Sequence, residues 1–262
     1  MLLCPKCKEA LVLQDKSYRC VNGHCYDVAK QGYAHLLIHK QKASGDNKEM
    51  VHARSAFLES GYYACLRNAL LDIIAGLSPK VMVDAGCGEG YYTSVLSDEN
   101  REVFAFDMSK YAVMKCAKRN SHLHCFIASV FDLPLRSQSV DLVLSVFAPF
   151  AHKEFARILK KDGYVIKVEP GEHHLYELKK QLYADVMENE EAAILYDEFT
   201  LVKEWVIEDQ ITVIGKEMIE ALFQMTPYYY RSPKDGILRL RALDQLTTTI
   251  QFHIELYQVK DS

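Results

Sequence analysis

The feature that most constrains this chain is the run Val81-Met82-Val83-Asp84-Ala85-Gly86-Cys87-Gly88-Glu89-Gly90. Apolar residues that lead into an acid, then glycines at alternate positions, predict a short buried strand, Lys80–Ala85, entering a tight turn. Glycine belongs in such a turn because the backbone must adopt positive φ and lie close to whatever it holds. A helix is expected over Tyr91–Leu96. The next strand, Glu102–Phe106, ends in Asp107, 17 residues beyond Gly90. An acid there reaches across the carboxyl edge of a sheet to bind ribose hydroxyls, so the parts of a nucleoside site are present. A turn that merely packs a helix on a strand would use the same glycines but would leave Asp107 without a role. Asp-x-Gly-x-Gly-x-Gly is not the Gly-x-Gly-x-x-Gly of dinucleotide sites, and no lysine follows the glycines to cradle a phosphate.

The surrounding pattern gives the fold class. A helix is expected from about Arg54 to Ala75, broken by Ser78-Pro79. Ser109 caps a helix running to Lys118. Strands follow at His122–Ala128 and Val140–Val146, then a helix at Lys153–Leu159, a strand at Tyr164–Val168 after the Asp162-Gly163 turn, and a helix from about His173 to Met187. Strands alternating with helices imply an α/β, Rossmann-like parallel sheet covered on both faces. After about residue 198 the pattern changes to two β-rich stretches, near 199–214 and 246–258, expected to form a terminal antiparallel pair with a helical, tyrosine-rich insertion. No internal repeat is visible.

The N-terminus carries a different signal. Cys4-Pro5-Lys6-Cys7, then Cys20-Val21-Asn22-Gly23-His24-Cys25, has the ligand spacing of a structural zinc site, with a hairpin over Leu11–Arg19 between the pairs. Thiolates and imidazole suit tetrahedral zinc. A redox Cys-x-x-Cys would lack its βαβ context and leave the second cluster unexplained. By spacing alone, either His24 or Cys25 completes the set. Cys65, Cys87, Cys116 and Cys125 read as buried thiols. The expected division is a zinc-binding module at 1–36, a linker at 37–54 and a larger α/β domain at 55–262 that includes the C-terminal insertion.

Eight cysteines without a secretory leader, and no apolar run long enough to span a bilayer, argue for a cytoplasmic protein without membrane partners. The formal net charge of −4 argues against indiscriminate nucleic-acid binding, but residues 1–54 hold nine Lys/Arg against five Asp/Glu, a net +4, leaving −8 on the remainder. A polyanion would therefore dock near the N-terminus, although scattered solvated side chains give the same tally.

The glycine spacing resembles motif I of class I S-adenosylmethionine-dependent methyltransferases, in which the acid ending the second strand binds the ribose, matching Asp107. Ala128-Ser129-Val130-Phe131-Asp132-Leu133-Pro134 resembles the segment lining the adenine. Over nearly the whole chain the order of features resembles bacterial 23S rRNA guanine-N1 methyltransferases. Shared pieces are the Cys-Pro-Lys-Cys and Cys-x-x-x-His pairs, Tyr26-Asp27 with Gly32-Tyr33, Ala53-Arg54 with Phe57-Leu58 and Gly61-Tyr62-Tyr63, the glycine motif, Ala148-Pro149, Pro170-Gly171 with His174-Leu175 and Glu177-Leu178-Lys179, and Gln224-Met225-Thr226-Pro227.

The resemblance implies that 55–262 is the methyltransferase domain, and that Cys4, Cys7, Cys20 and His24 are zinc ligands with Cys25 a bystander. It implies Tyr63, Asp84, Gly86, Gly88, Glu89, Gly90, Asp107, Ser129 and His174 around S-adenosylmethionine, and a homodimer whose zinc modules help form a cleft for a 23S rRNA hairpin. Read without it, Tyr63 is a core tyrosine and His174 opens a helix. No residue is assigned as acceptor of the guanine N1 proton. Amino-methylating enzymes carry Asn/Asp-Pro-Pro-aromatic after the fourth strand; here Phe147-Ala148-Pro149-Phe150 has no polar residue before Ala148, which argues against an exocyclic amine as acceptor. A flipped guanine has Phe147 or Phe150 available for stacking, although aromatics at a strand end also serve a core. The glycine turn suits a small-molecule methyltransferase equally, and a third reading is a non-catalytic RNA-binding protein that retains the fold; both alternatives differ from the first reading in their activity on rRNA.

Overall fold

A computed structural model of the protein describes residues 1–38, 46–97, 100–186 and 196–260. The N-terminal strands β1 (Val12–Gln14), β2 (Ser17–Arg19) and β3 (Cys25–Asp27) form a small antiparallel sheet in the order β1-β2-β3. The chain then contributes β4 (Tyr33–His35) to a second, larger sheet. That sheet also contains β5 (Val81–Ala85), β6 (Glu102–Asp107), β7 (Leu123–Ile127), β8 (Val140–Val146), β9 (Leu159–Pro170), β10 (Phe199–Ile214) and β11 (Gln245–Val259), in the order β10-β11-β9-β8-β5-β6-β7-β4. From β4 to β9 neighbours run parallel; β11 and β10 complete the sheet antiparallel. The alternating β/α pattern and the antiparallel tail are both as the sequence leads one to expect.

The helices are α1 (Lys48–Glu59), α2 (Ala64–Leu77), α3 (Lys110–Arg119), α4 (His152–Ile158), α5 (Tyr176–Leu182), α6 (Lys216–Gln224) and α7 (Lys234–Arg241). The last two form the insertion between β10 and β11. Leu66, Leu70 and Ile74 lie at i, i+4 and i+8 on α2 and are fully buried against the sheet; each contributes on the order of 1.5–3 kcal/mol relative to exposure. Ser109 caps α3 as expected, its hydroxyl accepting from the Ala112 N–H. Among the described residues no helix is long and apolar enough to cross a membrane.

Four local expectations are corrected. The single helix expected over Arg54–Ala75 is two helices, because Gly61 at φ +85° ends α1 and turns the chain before α2. That break sets Tyr63 at the N-terminus of α2. Residues 48–54, expected in the linker, are already helical: Asn47 caps α1 through the Met50 N–H, and Val51 begins its buried face. The rest of the expected linker, 39–45, lies outside the described residues. The helix expected at Tyr91–Leu96 is one 3₁₀ turn, Thr93–Val95, with the Thr93 side chain tied back to Asp84. The helix expected over His173–Met187 is shorter at both ends: it begins only at Tyr176, because Leu175 at φ +55° and the hydrogen bonds of 171–174 to β11 hold a turn there, and it ends at Leu182, with Tyr183 already extended.

The N-terminal sheet shares its core with the large one. Leu2, Cys4, Leu11 and Cys20 belong to the same buried cluster as Phe104, Phe126 and Leu135. Tyr18 packs edge-on against Phe126 at 5.4 Å, and Leu3 N–H donates to the Pro134 carbonyl at 2.8 Å.

Candidate functional site

The chain order β5, β6, β7 runs one way from the sheet centre and β8, β9 the other, so the topological switch lies between β5 and β8. Crevices of such sheets open there, at the carboxyl ends of the strands. A cleft of about 800 Å³ occupies that position. Its walls are the segments that leave five strands: 86–89 after β5, 107–108 at the end of β6, 130–131 after β7, 146–149 after β8, and 169–175 after β9. Residues 225–228 and Tyr230 of the insertion close it from one side, and Met50, Arg54 and Leu58 of α1 from another.

Within the glycine turn, Gly86 (φ +95°) and Gly88 (φ +53°) have conformations that side chains resist. A Cβ on Gly86 would lie 2.4 Å from that of Ala148, so the turn and the 147–149 segment touch here. A Cβ on Gly88 would meet only Arg54 Nη1, at 3.9 Å, leaving its outer face open to the cleft. Gly90 serves packing instead, since a Cβ there would come within 2.9 Å of the Cys116 Cα; its absence lets α3 lie on the turn.

The acids sit where the strands deliver them. Asp84 is buried; one carboxylate oxygen accepts from Thr93 Oγ1 and the other is buried without a hydrogen-bond partner. Burial raises its pKa to about 7. Asp107 accepts from the Gly88 N–H at 3.0 Å and the Ser109 N–H at 2.7 Å, one to each oxygen. Burial raises its pKa and the two N–H groups pull it back; each oxygen keeps a second lone pair for a ligand hydroxyl. Glu89 is paired with Arg119 through Oε2 while its Oε1 is buried without a partner. Burial raises the Glu89 pKa, and Arg119 opposes it. Arg119 also bonds the Glu89 carbonyl (2.7 Å), Ser55 Oγ (2.9 Å) and Glu59 (2.7 Å), tying α3, α1 and the turn together.

Tyr63 and His174 meet across the cleft floor, with Tyr63 Oη 3.1 Å from His174 Nε2. The Gln251 N–H of β11 points at His174 Nδ1 at 3.1 Å. Nδ1 is therefore the acceptor, so the neutral ring carries its proton on Nε2 and donates it to Tyr63. Burial lowers the His174 pKa to about 4, which keeps the ring neutral at pH 7. The tyrosine hydroxyl hydrogen remains available to a ligand.

Of the residues expected around the cofactor, Tyr63, Asp84, Gly86, Gly88, Glu89, Asp107 and His174 line the cleft. Gly90 and Ser129 do not. Ser129 turns its hydroxyl to the Phe131 N–H at 3.3 Å, and Val130 and Phe131 form the wall instead. Phe147 lines the cleft, whereas Phe150 packs among Phe155, Tyr196 and Phe199. Residue-by-residue reasoning missed Met50 and Arg54 as cleft residues. Their signal was present: positions 50, 54 and 58 recur every fourth residue on one face of α1. Arg54 pairs with Asp46, and Tyr230 Oη bonds Met50 Sδ at 3.3 Å, so α1 and the insertion meet over the cleft.

The geometry and donors suit S-adenosylmethionine. Partnerless buried carboxylate oxygens at Asp84 and Glu89 require donors, which a nucleoside amino acid carries, and the open face of Gly88 beside Asp107 leaves room for a ribose.

Away from the cleft, Cys4, Cys7, Cys20 and His24 form a metal-binding arrangement, their ligand atoms all within 4.8 Å of one another. Cys7–Cys20 is 3.7 Å between sulfurs, and His24 Nδ1 is 3.4 Å from the sulfurs of both Cys4 and Cys20. A tetrahedron with roughly 2.0–2.3 Å arms has edges of about 3.3–3.8 Å, and these three distances fall in that range, so the four atoms are arranged to hold a zinc ion. Cys25 is exposed and directs its thiol to Asp27 Oδ1 at 3.8 Å, outside the cluster. The ambiguity between His24 and Cys25 is thus resolved: His24, at the end of the turn before β3, turns to the cysteines, whereas Cys25, the first residue of β3, faces Asp27.

Residues 83–167 match the family described as "Methyltransferase domain", and residues 2–45 match the zinc ribbon described as "RlmA, N-terminal". Together with the switch-point cleft, these matches define a Rossmann-like methyltransferase preceded by a zinc ribbon. The "23S rRNA (guanine(748)-N(1))-methyltransferase" of Streptomyces fradiae is 41% identical over 184 residues, 68% of this chain and 66% of that protein. The "Putative 23S rRNA (guanine-N(1)-)-methyltransferase" of Micromonospora griseorubida is 32% identical over 69% of each chain. The similarly named YxjB of Bacillus subtilis (strain 168) is 29% identical over 97% of this chain and 95% of its own length. The chain belongs to the 23S rRNA guanine-N1 methyltransferase family.

Proposed function

We propose that this protein transfers the methyl group of S-adenosylmethionine to N1 of one guanine in a 23S rRNA hairpin. The observation that carries the reading is the union, in one chain, of the switch-point cleft with a zinc ribbon built into the edge of the same sheet. Asp107 and the Gly88 backbone would hold the ribose, Tyr63 and Glu89 the amino-acid end, and Val130 and Phe131 the adenine. When bound, the cofactor supplies an electrophilic methyl on a sulfonium.

The chain's own contribution is positioning and exclusion of water, which for an in-line displacement accounts for most of the acceleration. Guanine N1 carries a proton, which would pass to solvent water as N1 accepts the methyl group. His174 is not the acceptor of that proton, because Nδ1 is occupied by the Gln251 N–H and Nε2 already carries hydrogen. Its part is to orient Tyr63. The basic ribbon, 1–36, would meet RNA while 55–262 performs the transfer, in the cytoplasm where rRNA matures. A homodimer presenting two ribbons to one hairpin is part of this proposal, and light scattering on the purified protein tests it.

Incubating the protein with labelled S-adenosylmethionine and unmodified 23S rRNA should yield 1-methylguanine and a single stop to reverse transcriptase, since the methyl blocks the Watson–Crick edge. Binding should weaken with salt by about 0.9 log units per log salt for each duplex phosphate contacted. Label in a small metabolite alone, or on exocyclic amines alone, overturns the reading.

A further inference from the structure

A guanine paired in a hairpin hides N1 inside the stack, so an enzyme acting there must draw the base out and hold it beside the methyl donor. Among the described residues, three large aromatic side chains line the cleft and remain substantially exposed: Phe131, Phe147 and Tyr230. Their places in the fold differ. Phe131 follows β7, beyond the Asp107 strand, on the side where the adenine would lie. Tyr230 belongs to the insertion, and its hydroxyl is engaged with Asn47 and Met50 of α1. Phe147 follows β8, on the opposite side of the glycine turn from Asp107.

We propose that Phe147 is the platform on which the extruded guanine stacks while its N1 is methylated, an inference that rests on the rRNA reading above. Ala148, the next residue, is the one a Cβ on Gly86 would strike at 2.4 Å, so the Phe147 segment abuts the turn that holds the cofactor. A base on this ring therefore lies next to the donor, not at a remote subsite. Phe147 is 44% exposed, and its ring packs against Phe252 (centroids 5.9 Å) and His174 (6.3 Å). It is thus braced by two tilted rings while still exposed in the cleft.

The backbone is specialised for this placement. Phe147 has φ +53°, a conformation rarely adopted by a bulky residue, and is held in it by its N–H bond to the Val168 carbonyl at 3.0 Å. Ordinary strand continuation would not require such a geometry; a turn that frees the end of β8 from alternation does. Phe150, the other aromatic of the segment, is partly buried against Phe155 and Tyr196 and does not line the cleft. A stacking platform also accounts for the missing polar residue before Ala148: the ring fixes the plane of the base and leaves its edge to be read by other groups.

The test compares Phe147→Ala, Phe147→Leu, Phe147→Tyr and Phe147→Trp with the wild type. S-adenosylmethionine affinity by calorimetry should stay within about twofold in all of them. Methylation of 23S rRNA, as kcat/KM, should fall by about 30-fold or more for Phe147→Ala and substantially for Phe147→Leu, since loss of one base–aromatic stack is worth roughly ten- to a hundredfold. Phe147→Tyr and Phe147→Trp should stay within about threefold of wild type. Should Phe147→Ala not fold, Phe147→Leu against Phe147→Tyr carries the comparison alone. An active wild type with Phe147→Leu equal to Phe147→Tyr, or with Phe147→Ala at full rate, overturns the platform and leaves the rRNA reading standing. A wild type that places no methyl on rRNA overturns both.

Discussion

Tyr63 Oη and His174 Nε2 lie 3.1 Å apart in a buried pair that joins the first turn of α2 to the loop after β9, 111 residues further along the chain. Because burial holds the His174 pKa at about 4 against an ordinary 6.5, the folded protein binds fewer protons than the unfolded chain between those values. The group's contribution to stability is complete above pH 6.5, falls as the pH drops, and is lost by about pH 4. Unfolding free energy should therefore drop by about 2 kcal/mol from this group between pH 7 and pH 5. Urea titrations at the two pH values should show the drop shrinking in His174→Asn; an equal drop in both proteins contradicts the assignment of a neutral buried ring.

Asp107 carries two backbone N–H groups and would add ribose hydroxyls. Replacing it with Ala removes charge-assisted bonds worth about 1.5–3 kcal/mol each, so S-adenosylmethionine affinity should fall at least about tenfold. Calorimetry showing unchanged affinity would remove Asp107 from the ribose site.

Each chain should carry one zinc ion. Cys20→Ala should lose it, and Cys25→Ser should keep it, since the Cys25 thiol points to Asp27. Cys4 and Cys20 share a buried cluster with Phe104 and Phe126 of the large sheet, so metal loss should reach beyond the ribbon. Cys20→Ala should lower the melting temperature of the whole protein by about 5–10 °C, corresponding to about 3 kcal/mol for a chain of this size. Metal analysis with zinc retained in Cys20→Ala and lost in Cys25→Ser would reverse the ligand assignment.

Gly90→Ala should be severely destabilising. The residue has φ +84°, and its Cβ would fall 2.9 Å from the Cys116 Cα and 2.7 Å from its sulfur. Positive φ and a clash against helix backbone together cost about 2–5 kcal/mol. An unfolding midpoint equal to that of wild type would show that α3 shifts freely against the turn.

Much of this protein is legible from local pattern. Strand hydrophobicity, the alternate glycines and the acid closing β6 report directly on backbone geometry within about 30 residues, and the ligand pairs of the ribbon need only two short turns. Those features are set by φ, by pleat and by spacing. Asp107 and the cysteine ligands Cys4, Cys7 and Cys20 accordingly stand out in the sequence itself. Other matters depended on packing between distant segments. Whether Tyr63 and His174 are core or cleft residues was open to the sequence read residue by residue, because each adopts its place only when Gly61 breaks the helix and β11 presents the Gln251 N–H. Phe147 and Phe150 are equivalent aromatics in sequence; the packing of Phe150 against Tyr196, Phe199 and Phe155, away from the cleft, separates them. The ribbon could be recognised from cysteine spacing, but its fusion to the sheet through β4 and Tyr18 could not. Side-chain direction and burial at such positions are properties of the assembled layers, and only the tertiary structure decided them.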